Sequence, residues 1–154
     1  MVFCAGSHGK DHWKETALCG QKTFGKPGHR LSGKKRIDPD ELLDETFIAR
    51  EEGSGTRILM SRFLDRIGEG RTYDVITMSS NETIKQAVMA GLGIALISQH
   101  TVVDELHAGR LVTLDLPGLP IERAWYLITL ADVPLSPAAQ RIRAHISGMK
   151  GGFL

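Results

Sequence analysis

The sequence predicts an α/β fold built on a mostly parallel sheet, and three observations carry that prediction. From residue 46 onward, short apolar runs alternate with amphipathic segments of helical period. The stretch Met78–Ser98 joins a hydroxyl-rich helix start, a glycine break and a compact apolar run. Two turns, Gly53-Ser54-Gly55-Thr56 and Ser79-Ser80-Asn81, each stand between a strand-like run and a helix-like run.

A chain of 154 residues can bury one good core or two small lobes. Its 42% hydrophobic and 24% charged residues are ordinary globular composition. With 19 basic and 18 acidic residues the net charge is +1, so no bulk field favours nucleic acid. No apolar run approaches the roughly 20 residues of a membrane span. Met1–Ala5 is too short for a signal-peptide core. A cytoplasmic protein is therefore expected. The two cysteines, Cys4 and Cys19, form no disulfide framework.

Residues 1–33 are rich in Gly, Lys and His and show no helix or strand period, so a poorly ordered segment is expected there. Residues 34–45 read as a linker or hinge. Lys34, Lys35 and Arg36 are solvated, and IDPDELLDE makes one helical turn ending near Asp44. Thr46–Ala49 reads as a strand. A helix over Thr56–Ile67 follows, with Met60, Phe63, Leu64 and Ile67 on one stripe and Arg57, Arg62, Asp65 and Arg66 on the wet side. Asp74–Met78 is the next strand. Ser79 and Glu82 have capping-box spacing, and Ile84, Ala87 and Val88 form the apolar face of the helix they open. Ile94–Ile97 reads as a strand covered on both faces.

A short helix over Thr101–Ala108 leads to a strand at Leu111–Leu114. Pro117, Gly118 and Pro120 then punctuate the chain as a crossover between lobes would. Arg123–Leu130 is a further strand. Ser136 and Pro137 are an N-cap and first-turn pair for a last helix, with Ala139, Ile142 and Ile146 inward.

The two hydroxyl-rich turns are where chemistry gathers. Two helix N-termini facing one crevice supply N–H donors, hydroxyls and two positive dipole ends, which suits a carboxylate, phosphate or sulfate. Ser54, Gly55, Thr56, Ser79, Ser80 and Asn81 are the candidate binding residues, with Arg50 and Arg57 as charge partners. The same residues also suit a plain role as caps and turns. Gly53–Thr56 lacks the Gly-Lys-Ser/Thr ending of a P-loop, and Ser54 lacks the flanks of a nucleophile elbow. Cys4, His8, His12 and Cys19 fit no zinc-finger spacing, so no metal is expected. His100 and His107 read as surface residues. With no carboxylate pair in a cleft position, no catalytic residue and no enzyme activity are expected.

Two of these stretches, REEGSGTR at 50–57 and MSSNETIKQAVMAGLGIALIS at 78–98, resemble the effector-binding domain of LysR-type transcriptional regulators. GRLVTLDLPGLPIERAWYLI at 109–128 and LSPAAQRIRAHI at 135–146 extend the likeness, which covers about His29–Ile146 and is strongest to regulators of Rubisco operons. The resemblance implies a periplasmic-binding-protein-like (type 2) α/β domain: one complete Rossmann-like lobe over 46–119, and part of the other in the return strand and helix over 120–147, followed by a tail. It implies an effector between the lobes, no cofactor, and a homodimer or tetramer in the full-length family. For Rubisco-operon regulators the effector is a sugar phosphate, phosphoenolpyruvate or an NADPH-like dinucleotide. In such regulators DNA is contacted through an N-terminal winged helix-turn-helix. None is legible here, residues 1–28 do not match the first lobe, and His29-Arg30-Leu31 stands where members often show His-Pro-Leu. The same two-lobe fold also serves solute-binding proteins, the alternative reading.

Overall fold

Side chains alternating across one twisted sheet organise the larger of two units, Gly20–Ile121. The computed structural model describes residues 2–3, 12–129 and 132–148. In chain order the elements contributing to this unit are β2 (His12–Gly25), α1 (Pro39–Leu43), β3 (Phe47–Arg50), α2 (Gly55–Gly68), β4 (Val75–Met78), α3 (Asn81–Met89), β5 (Ala95–Ser98), α4 (Val103–His107) and β6 (Val112–Leu114), after β1 (Val2–Phe3).

β3 and β4 pair in parallel, with Arg50 level with Met78. On its other side β3 meets the start of β5 through a parallel bridge between Phe47 and Ile94. There the Ile48 N–H donates to the Ile94 carbonyl at 2.7 Å and the Ile94 N–H to the Thr46 carbonyl at 2.9 Å. β2 runs antiparallel to both β5 and β6. The order across the sheet is therefore β4-β3-β5-β2-β6. The expectation of a mostly parallel sheet holds for β3, β4 and β5 and is corrected at β2.

The strand periodicity sorts the core into two layers. Phe47, Ala49 and Leu96 point to the side of α1 and α2, where they meet Leu42, Leu43, Met60, Phe63 and Leu64, together with Leu31 and Ile37. Ile48, Ala95 and Ile97 point the other way with Phe24, against Ile84, Ala87 and Val88 of α3. Each of the larger side chains among them contributes roughly 1.5–3 kcal/mol by leaving water. β5 is apolar over Ala95–Ile97 because helices cover both of its faces.

Several expectations change. Far from lacking strand structure, residues 12–25 form β2, and residues 34–45 are no mere linker, since Ile37, Leu42 and Leu43 are buried in the core. β2 carries no strand signature in sequence because polar Gln21, Lys22 and Thr23 interrupt its apolar pattern. The compact unit accordingly begins at Gly20 and ends at Ile121. Among residues 1–33, position 1 and positions 4–11 lie outside the described residues, and with them Cys4 and His8.

The second unit comprises Met1–Cys19 and Glu122–Leu154. In it β1 pairs antiparallel with β7 (Ile121–Thr129), Phe3 opposite Tyr126. The last helix is α5 (Pro137–Gly148), where the Ser136 Oγ accepts from the Ala139 N–H at 3.3 Å. Of the inward stripe expected for α5, Ala139 and Ile146 are half-buried, whereas Ile142 is 59% exposed.

Candidate functional site

Because β3 and β4 are in parallel register, the turns that follow them leave the sheet at the same end. After β3, Gly53 takes a positive φ of 84°, open to glycine without strain, and aims the chain into α2. Ser54 is extended and caps α2, its Oγ accepting from the Arg57 N–H at 3.1 Å. After β4, Ser80 caps α3 in the same way, its Oγ accepting from the Thr83 N–H at 3.1 Å. The Thr83 hydroxyl donates back to the Ser80 carbonyl at 2.9 Å. Each cap satisfies one of the N–H groups that a helix start leaves without an intrahelical partner, and the others remain available to an anion.

The cap of α3 is thus Ser80 and not Ser79. Ser79 has the capping-box spacing to Glu82, but it is Ser80 that directly precedes the first helical residue, Asn81. Glu82 is then one residue too early for a capping box. It pairs instead with Lys85 at 2.8 Å and accepts from Gln86 at 2.9 Å.

The remaining candidates divide clearly. Arg50 holds Glu51 through two bonds of 2.7 Å and reaches Asn81 Oδ1 at 3.4 Å. It therefore ties the two turns together, with its charge shared with Glu51. The Glu51 carboxyl is lowered to about 2, chiefly by its bond to Arg50. Arg57 makes no ion pair among the described residues, and its Nη1 is enclosed without a partner. Its side chain, expected on the wet side, is half-buried. The hydroxyls of Thr56 and Ser79 have no partner among the described residues, and Gly55 opens α2 on the exposed surface.

A third turn was missed. β5 lies beside β3, so its end, Ser98-Gln99-His100-Thr101, leaves the sheet where the other two turns do. Thr101 Oγ1 donates to the Ser98 carbonyl at 2.7 Å. His100, read as a surface residue, is half-buried with its Nδ1 enclosed and unpartnered. Gln21, opposite Ser98 in β2, is 2% exposed with an unpartnered Oε1. The signal was present in the sequence: polar residues follow the Ala95–Ile97 run as they follow the other two strands. Among the described residues no three His, Cys, Asp or Glu side chains gather as metal ligands would.

An α/β unit with three polar turns at one end of its sheet is a ligand-binding scaffold. The chain belongs to the LysR substrate binding domain family, which it matches over residues 23–149. The fold is accordingly periplasmic-binding-protein-like, of type 2.

Within the family it is similar to transcriptional regulators named CbbR and to RuBisCO operon regulators. It is 56% identical over 128 residues to the transcriptional regulator CbbR of Cereibacter sphaeroides, covering 83% of this chain and 41% of that protein. It is 45% identical over 120 residues to the RuBisCO operon transcriptional regulator of Allochromatium vinosum, covering 78% and 39%. Among solved structures, the CcmR regulatory domain of Synechocystis PCC6803, in complex with 2-PG, matches with a TM-score of 0.85 at 31% identity. That match covers 99% of this chain and 73% of the other. The chain spans about two fifths of the length of the curated relatives it matches. Among the described residues no helix is long and apolar enough to cross a membrane.

Proposed function

We propose that this chain is the sensing part of a LysR-type regulator of the CbbR kind. In this reading it binds a small anionic metabolite, phosphorylated or carboxylate, and relays the event to a DNA-binding domain. One observation carries the reading: α2 and α3, both capped by serine hydroxyls, start from the level ends of paired parallel strands, and Arg50 ties one start to the other. Two positive helix ends held side by side favour an anion over a neutral ligand. Arg57, with its enclosed free Nη1, is positioned on the first turn of α2 to add a charge-assisted bond. The complex of the CcmR regulatory domain with 2-PG supports a small-molecule ligand for this fold.

Relay requires a ligand that binds one conformation better than another. The test is a full-length regulator carrying this domain with Thr56→Ala and Ser80→Ala together. Operator binding is expected to persist while its modulation by sugar phosphates, phosphoenolpyruvate or NADPH is lost. Modulation unchanged in the double variant would overturn the assignment. Homodimers or tetramers are part of the same proposal, and sedimentation of that full-length regulator checks them.

A further inference from the structure

We propose a second anion site in the unit Gly20–Ile121, for a small phosphate-bearing ligand, sharing no residue with the seat at α2 and α3. A cavity of about 430 Å³ opens between β2, the loop carrying Lys35 and Arg36, and the segment 113–120. Three cations, Lys22, Lys35 and Arg36, line it, together with Thr113 and a single acidic residue, Asp115.

The three cations make no ion pair among the described residues. Their neighbour Lys34, by contrast, holds Glu41 at 2.6 Å. The Lys34-Lys35-Arg36 triplet is therefore split: one member is used to hold α1, and two face the cavity. Three like charges around one concavity repel each other, and low-dielectric walls focus their field on the space between. Asp115 offsets one charge and leaves an excess of two, which a phosphate monoester or diphosphate matches. Leu114 and Leu116 close the wall with apolar surface, so the charges are not fully bathed in water.

The position gives the site a regulatory sense. The chain leaves this unit at only two points, next to Gly20 and next to Ile121. Lys22 is two residues from the first, and Pro120 of the cavity wall adjoins the second. The two exits run side by side, since a Cβ on Gly20 would lie 3.1 Å from the Pro120 Cβ. A bound anion would fasten both connections at once.

The test is calorimetric titration of this chain with inorganic pyrophosphate at low salt. Lys35→Gln with Arg36→Gln, both exposed positions that leave the core intact, is expected to weaken binding at least tenfold. Asp115→Asn is expected to tighten it, a gain that misfolding cannot imitate. Lysine acetylation should be slowed by pyrophosphate at Lys22 and Lys35 but not at Lys26. Ser80→Ala separates this site from the seat at α3 and is expected to leave pyrophosphate affinity in place. Absence of binding, unchanged affinity in the Lys35/Arg36 variant, or loss of binding in Ser80→Ala would each overturn the proposal.

Discussion

Arg50 and Asn81 are 31 residues apart in sequence, yet the Arg50 Nη1 donates to the Asn81 Oδ1 across 3.4 Å. The bond runs from the last residue of β3 to the first of α3. Since Glu51 grips the same guanidinium from the adjacent position, Arg50 acts as a strut between two turns and not as a free charge.

Acid should loosen that strut. The Glu51 carboxyl is lowered to about 2 from its ordinary 4.5. A group lowered on folding stabilises the fold above its unfolded value and loses that contribution as pH falls through the folded one. The loss is expected between about pH 4.5 and 2. Glu41 and Glu82, also lowered, add to it. Thermal melts against pH should show a shallower acid slope for Glu51→Gln than for the wild type, and superimposable slopes would contradict the assignment.

Gly93 has no room for a side chain. A Cβ there would lie 2.2 Å from the Thr46 carbonyl oxygen, which accepts the Ile94 N–H that joins β3 to β5. Relief requires the two strands to part. Gly93→Ala is expected to cost about 3 kcal/mol, the upper end for overpacking. A urea midpoint within error of wild type would show that the backbone yields freely.

Thr23 is fully buried at the crossing of β2 with β5 and β6, and its hydroxyl has no partner among the described residues. Its desolvation is uncompensated in the folded state. Thr23→Val keeps the shape and removes the orphan, so a gain of about 1 kcal/mol is expected. Denaturant melts check the sign, and a loss would mean that the hydroxyl is bonded.

Glu105, 6% exposed, is held by Lys85 at 3.0 Å and more loosely by Arg110 at 3.7 Å. Lys85→Met would leave that carboxylate with only the distant guanidinium, and a cost of about 3 kcal/mol is expected. Adding Glu105→Gln removes the stranded charge, so the double variant should be more stable than the single. A double-mutant cycle with no coupling would count against the pair.

The parts of this fold legible in the sequence are those where packing follows a period. Met60, Phe63 and Leu64 recur on one helical stripe and are buried on it. Ala95–Ile97 reads as a strand because α2 and α3 cover both faces. β2 was illegible because two of its inward positions, Gln21 and Thr23, are polar. At the site, the hydroxyls and the two turns could be read directly. Which serine is the cap depends on backbone angles that neighbouring serines do not distinguish. That Arg50 is neutralised, that Arg57 is enclosed and that His100 is half-buried depend on neighbours brought from other elements.

The two units are also unequal in how the chain supplies them. Gly20–Ile121 is continuous, whereas the other unit joins segments separated by about a hundred residues. On a ribosome the continuous unit can therefore complete its sheet while α5 is still unmade. β1 has to wait through that whole interval for β7, its partner strand. Among the described residues β1 finds its partner only when β7 is made, and until then its edge is open to a neighbouring chain.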